Sequence, residues 1–190
     1  MSGRTRFLAT VVLASSLCGC HDERGAPIHA TYDGTGHLRL LTFDSNHNGK
    51  PDTWSYMEGS RITRIEVDAD ENGTIDRWEY YDANQALERV GTARDGGGQP
   101  DTWTYVTSDG AVARVETSAN GGGRITRTEF YDAGVLARAE EDTDGNGTVD
   151  KWETYANGLL SRVAFDTEGT GRPAHEIRYG PVRDVTELKK

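Results

Sequence analysis

A glycine recurs at nearly fixed spacing through most of this 190-residue chain. Gly49, Gly73, Gly98, Gly123, Gly147 and Gly171 are separated by 24, 25, 25, 24 and 24 residues. Self-similarity at one period marks a repeat array, whose units cannot bury their apolar surface alone and must stack on one another. Around each glycine the copies share three parts. An aromatic segment follows it, as in Trp54-Ser55-Tyr56, Trp78-Glu79-Tyr80-Tyr81, Trp103-Thr104-Tyr105, Glu129-Phe130-Tyr131 and Trp152-Glu153-Thr154-Tyr155. A turn comes next, as in Asp82-Ala83-Asn84, Asp132-Ala133-Gly134 and Asn157-Gly158. The third part has apolar, Arg, apolar spacing: Ile62-x-Arg64-Ile65, Leu87-x-Arg89-Val90, Val112-x-Arg114-Val115, Leu136-x-Arg138-Ala139 and Leu160-x-Arg162-Val163.

A period of two, rich in β-branched residues, predicts strands. The fold class expected is all-β: a repetitive antiparallel β-hairpin meander, solenoid-like, twisted or coiled, of about six 24–25-residue units. A lone hairpin is marginal in water, so neighbours must support one another. The composition agrees, with 23 glycines and only 35% hydrophobic residues, too few for a thick layered core. One face should be lined by Trp and Tyr. The recurring arginines either stack on those rings and pair with nearby acids, or stand solvated.

The segment before each aromatic strand is acidic. Asp68, Asp70, Asn72, Asp76 and Glu79 occupy positions 1, 3, 5, 9 and 12 of a loop, with Gly73 at position 6 and the Thr74 carbonyl available at position 7. Asp142, Asp144, Asn146, Asp150 and Glu153 repeat the set, with Gly147 and Thr148 in the matching places. Closely spaced short oxygen donors around a sharp turn suit calcium, which takes six to eight oxygens in flexible geometry. A weaker set, Asp44, Asn46, Asn48 and Asp52, has Ser55 at position 12. The remaining copies are degraded: Ala93, Asp95 and Gly97 open the third, Ser118, Asn120 and Gly122 the fourth, and Asp166 and Glu168 the last. The two full loops resemble EF-hand loops, yet their flanks alternate like strands and leave no room for helices. The expectation is two good calcium sites and one poor one, set against acidic turns without metal.

The half-unit Tyr131-Asp132-Ala133-Gly134-Val135-Leu136-Ala137-Arg138 resembles the YD repeats of bacterial Rhs-type wall proteins, which the resemblance implies are sheets of β-hairpins. It covers about half of each unit, and the acidic loop is not part of it. Six units are too few for an enclosing shell, so an encapsulating role does not carry over.

At the N-terminus, Arg4 and Arg6 precede a short apolar run, Phe7 to Ala14, and then Leu17-Cys18-Gly19-Cys20. This pattern reads as a signal sequence too short to span a bilayer. It resembles the lipobox of bacterial lipoproteins, with Cys18 departing from the usual Ala or Ser. The resemblance implies cleavage after Gly19, fatty acylation of Cys20 and, with His21 rather than Asp next to it, an outer-membrane address. The expected organisation is residues 1–19 as signal peptide, 20–30 as lipidated cysteine and tether, 31–181 as repeat domain and 182–190 as polar tail.

A net charge of −10 repels nucleic acid and attracts cations. Histidines 21, 29, 37, 47 and 175 are scattered, and no nucleophile–base set recurs, so no enzyme is expected. The reading is a lipid-anchored cell-envelope protein, a calcium-binding β-repeat with a structural or interaction role. Its partners would be the membrane, through the anchor, and an unidentified protein or glycan. An EF-hand-like calcium sensor, and binding of a glycan or cell-wall polymer along the aromatic strands, are the alternatives.

Overall fold

A computed structural model of the chain describes residues 28–180 except Asp95, Asn120 and Gly122. The stretch read as a signal peptide, Cys20, residues 182–190 and parts of the third and fourth acidic loops lie outside the described residues. The first strand begins at Ile28, within the stretch read as a tether.

The fold is all-β. Thirteen strands run in chain order: β1 (Ile28–Tyr32), β2 (Leu38–Phe43), β3 (Thr53–Glu58), β4 (Arg61–Val67), β5 (Arg77–Tyr81), β6 (Leu87–Thr92), β7 (Thr102–Val106), β8 (Val112–Thr117), β9 (Arg127–Asp132), β10 (Val135–Glu141), β11 (Lys151–Ala156), β12 (Leu159–Phe165) and β13 (His175–Arg178). Every strand pairs antiparallel with its sequence neighbours in a single open sheet, and β1 and β13 are its edges. Among the described residues no strand packs on one distant in sequence, so the described sheet has no second layer.

Connections alternate between two kinds. Tight turns at one end of the sheet join β1–β2, β3–β4 and each later odd–even pair; loops of nine residues at the other end join β2–β3, β4–β5 and so on. Each tight hairpin carries one register shift near its turn, as at Tyr56/Met57, Tyr80/Tyr81, Tyr105/Val106 and Leu136/Arg138. The long-loop pairs carry none among their paired residues. An extra residue on one strand re-aims the chain beyond it and sharpens the local twist.

Directly opposed residues in a sheet share a face, so the register sorts the side chains. One row runs Leu40, Tyr56, Arg64, Tyr80, Arg89, Tyr105, Arg114, Phe130, Arg138, Thr154 and Arg162 across successive strands. Rings and guanidiniums thus alternate. Arg64 lies 4.1 Å from the centre of Tyr56, Arg89 4.4 Å from Tyr80, Arg114 3.9 Å from Tyr105 and Arg138 3.4 Å from Phe130. The arginines therefore stack on the rings, one of the two expectations from sequence. A parallel row on the same face holds Trp54, Glu66, Trp78, Gly91, Trp103 and Glu116. Here the acids meet the arginines: Arg64 Nε lies 3.2 Å from Glu66 and Arg114 Nε 3.0 Å from Glu116.

At Gly91 the acid is missing and the Trp103 indole covers the glycine. With no acid two residues on, the Arg89 guanidinium is held instead between Tyr80 and Trp103, 4.4 Å and 4.8 Å from the ring centres. Buried apolar residues are few among those described: Trp78, Ala93, Ala139, Val163 and Ala164. The arginine stems supply cover that a second layer would otherwise provide.

A Cβ at Gly91 would stand 2.9 Å from Trp103 Cζ3. Gly91→Ala is expected to displace the indole and destabilise the sheet by about 1–3 kcal/mol, the usual cost of overpacking. Gly34→Ala, where a Cβ meets nothing, is expected to leave the thermal melt unchanged. Equal melting of the two variants would show that Trp103 does not hold this position.

Candidate metal centre

The six long loops share one backbone. In each, the ninth residue donates its N–H to the last carbonyl of the preceding strand, as in Asp76 to Val67 (2.8 Å) and Asp150 to Glu141 (2.9 Å). Successive loops are tied in turn, with Asp68 N–H on the Asp52 carbonyl and Ala93 N–H on the Asp76 carbonyl. The loops therefore stand in register along one edge of the sheet. The glycine at position 6 is left-handed in every one, with φ from 68° at Gly98 to 97° at Gly147. This conformation explains the fixed recurrence of glycine.

Within this frame the position-1 carboxylate folds inward. Asp68 accepts the N–H groups of Asn72 (3.1 Å) and Gly73 (2.9 Å), and Asp142 those of Asn146 (3.0 Å) and Gly147 (2.7 Å). Asp70 and Asp144 each accept the N–H two residues on, and the amide oxygens of Asn72 and Asn146 accept those of Thr74 and Thr148. Asp76 closes the ring by accepting Ala69 N–H, and Asp150 by accepting Thr143 N–H. The result is two triads, Asp68–Asp70–Asp76 and Asp142–Asp144–Asp150. In each, one oxygen per carboxylate lies within 4.8 Å of the others, and either triad could hold a metal ion. Asp68 and Asp142 are buried, while Asp70 and Asp144 face solvent. Burial works against the ionised Asp142, yet the N–H bonds it accepts, that of Gly147 first, hold its pKa below the ordinary aspartate range.

The position-12 acids stand apart from both triads. Glu79 sits in β5 opposite Ile65 and Val90, with its carboxylate 2.6 Å from Arg77 and accepting the Tyr81 hydroxyl at 2.5 Å. Glu153 lies in β11 between Arg127 (2.7 Å) and Lys151 (2.8 Å) and accepts the Tyr155 hydroxyl. The reason is the strand. An extended chain advances about 3.3 Å per residue and carries the twelfth position away from the loop, where a helix would wind it back.

In the first loop, Asp44 accepts the Asn48 and Gly49 N–H groups, and buried Asp52 accepts the amide and hydroxyl of Ser45. The Asn46 and Asn48 side-chain amides both donate to Glu71 of the next loop. No third triad forms there among the described residues. The degraded loops keep the frame with other groups. Asp101 in the third pairs with Arg94 at 3.2 Å, and Thr126 in the fourth accepts Ala119 N–H at 3.0 Å. In the last loop Asp166 alone accepts the Glu168 and Gly171 N–H groups. The Glu71 bridge was not anticipated from sequence; the signal was an acid at position 4 beside a loop with amides at 3 and 5.

No protein-family model and no curated protein matches the chain. Among solved structures it is similar to a TarM variant of S. aureus in complex with fondaparinux, α-GlcNAc-glycerol and UDP, at TM-score 0.41 and 10% identity over 53% of this chain. A second TarM structure gives TM-score 0.41 and 13% identity over 54% of this chain. The accessory secretory protein 1, 2 and 3 of Streptococcus pneumoniae gives 0.26 and 12% over 68%. The chain spans only 19%, 20% and 19% of those structures, respectively.

Glu153 generates a pH prediction. Burial would raise its pKa, but hydrogen bonds and charge from Arg127, with Lys151 and Tyr155, lower it from 4.5 to about 2. A depressed carboxylate stabilises the fold above its unfolded pKa and loses that contribution as pH falls from 4.5 through about 2. In chelator, Glu153→Gln is therefore expected to melt below the wild type at pH 6, with the gap narrowing by pH 3. A gap independent of pH would remove the ion pairs as its cause.

Proposed function

We propose that this is a lipid-anchored cell-envelope protein whose β-hairpin array is stiffened by calcium and offers its sheet as a structural or interaction surface. The observation carrying the metal reading is the pair of carboxylate triads, built identically and in register on one sheet edge. Asp68, Asp70, Asn72 and Asp76 with the Thr74 carbonyl would ligate one ion. Asp142, Asp144, Asn146 and Asp150 with the Thr148 carbonyl would ligate the other. An all-oxygen set of this kind suits calcium, since magnesium demands near-octahedral geometry and dehydrates reluctantly. Glu79 and Glu153 keep their partners on the sheet, leaving water to complete each shell. Stiffening is favoured over switching because main-chain bonds already tie every loop to the strands on both sides. The anchor rests on the Cys20 motif, with the sheet starting shortly afterwards at Ile28.

Calcium that binds only the folded loops stabilises by RT ln(1 + [L]/Kd), about 2.7 kcal/mol at a hundredfold excess over Kd. Calorimetric titration of the 21–190 chain is expected to show two sites and a rise in melting temperature, with magnesium a poor substitute. Asp68→Ala and Asp142→Ala should each remove one site, and Asp166→Ala neither. A melt identical in chelator and millimolar calcium would leave acidic turns alone. For the anchor, metabolic labelling with a clickable fatty acid is expected to mark the full chain and to fail on Cys20→Ala.

A further inference from the structure

The aromatic face departs from its own repeat at one place. Even-numbered strands from β4 to β12 put an arginine in the ring-and-guanidinium row, but β2 puts Leu40 there, opposite Tyr56. Tyr56 therefore carries a stacked guanidinium from Arg64 on one flank, while its other flank meets the shorter Leu40 and then Thr31 of β1. Where the arginine is missing a groove of about 610 Å³ opens, lined by Thr31, Arg39, Leu40, Tyr56, Arg64 and Tyr80 among others. That volume is in the range of small-ligand sites.

The missing charge reappears one residue away. Arg39 is the extra residue at the register shift of the first hairpin, where the later hairpins have Thr63, Glu88, Ala113, Ala137 and Ser161. It is exposed and forms no ion pair or hydrogen bond with a described residue, in a chain of net charge −10 that pairs most of its other strand arginines with acids. The nearby Asp33 carboxylate takes its hydrogen bonds from Thr35 and His37 and feels Arg39 only through its charge. An open tyrosine flank, an apolar floor at Leu40 and a rim guanidinium with no direct side-chain partner suit a ligand with a non-aromatic ring and an acid group on it.

We propose that this groove binds a carboxylate-bearing saccharide, with its ring on Tyr56 and its carboxylate on Arg39. A guanidinium matches a carboxylate in bidentate fashion, and the C–H face of a sugar ring packs against an aromatic flank. The site lies on the sheet face, away from the acidic loops, and does not depend on the calcium reading.

The test is calorimetric titration of the full chain in calcium buffer with trigalacturonate and with its fully methyl-esterified form. Binding of the acid form is expected, with about a tenfold or greater loss for the ester and for Arg39→Glu. Leu40→Arg, which restores the row and fills the groove, should abolish binding while the far-ultraviolet spectrum and melt stay those of a folded sheet. Arg172→Glu, an exposed charge reversal in the last loop, should bind as wild type. No binding of trigalacturonate, equal binding of the ester, full binding by folded Leu40→Arg or Arg39→Glu, or displacement by equimolar inorganic phosphate would each overturn the assignment.

Discussion

A sheet without a second layer has to protect both faces with its own side chains, and the stacking of arginine on aromatic rings is what this fold uses. In the regular units the guanidinium covers a ring on the neighbouring strand and, through Nε, meets an acid two residues along its own strand, as in Tyr56–Arg64–Glu66 and Tyr105–Arg114–Glu116. Exposed cation–π contacts are worth about 0.5–1 kcal/mol each, and exposed ion pairs less. No single contact holds the sheet. Their repetition does, because each unit adds the same few contacts to the next, as in other one-dimensional arrays.

That dependence explains where the sheet tolerates variation. Gly91 removes an acid and keeps the guanidinium by giving it a second ring, Trp103. Around Arg127 the opposite face gathers Glu129, Glu141 and Glu153 about one cation, with Lys151 beside them. This denser network faces the end of the array where the aromatic row runs out, Thr154 standing opposite Arg138 and Arg162 in place of a ring. Charge pairing on one face takes over as ring stacking on the other fades.

Most of the fold was legible in the sequence because the period-two pattern and the recurring glycine are local signals. The meander, the hairpin units, the loop positions and the two acid-rich loops all follow from them. What was not legible depends on which face a side chain takes. Tyr80 and Tyr81 are adjacent aromatics in sequence, yet Tyr80 joins the arginine row and Tyr81 bonds Glu79 on the other side. The position-12 acids looked like ligands because the spacing matches a loop that enters a helix. Here the chain enters a strand, and Glu79 and Glu153 find arginines first. The Glu71 bridge to Asn46 and Asn48 joins residues far apart in sequence, and only the sheet register brings them together.

The register also sets how the two triads relate. Neighbouring strands lie about 4.8 Å apart, so the second and fifth loops, six strands apart, are separated by roughly 29 Å if the sheet is flat, well beyond the ~8–10 Å screening length at ordinary ionic strength. The loops between them carry guanidiniums: Arg94 neutralises Asp101 in the third, and Arg124 of the fourth donates to the Gly145 carbonyl of the fifth at 2.5 Å. Four adjacent acidic loops would have placed like charges within contact distance along one edge, at a cost to every unit. Placing the two cation-bearing loops between the triads avoids that repulsion and separates the charge of one triad from that of the other.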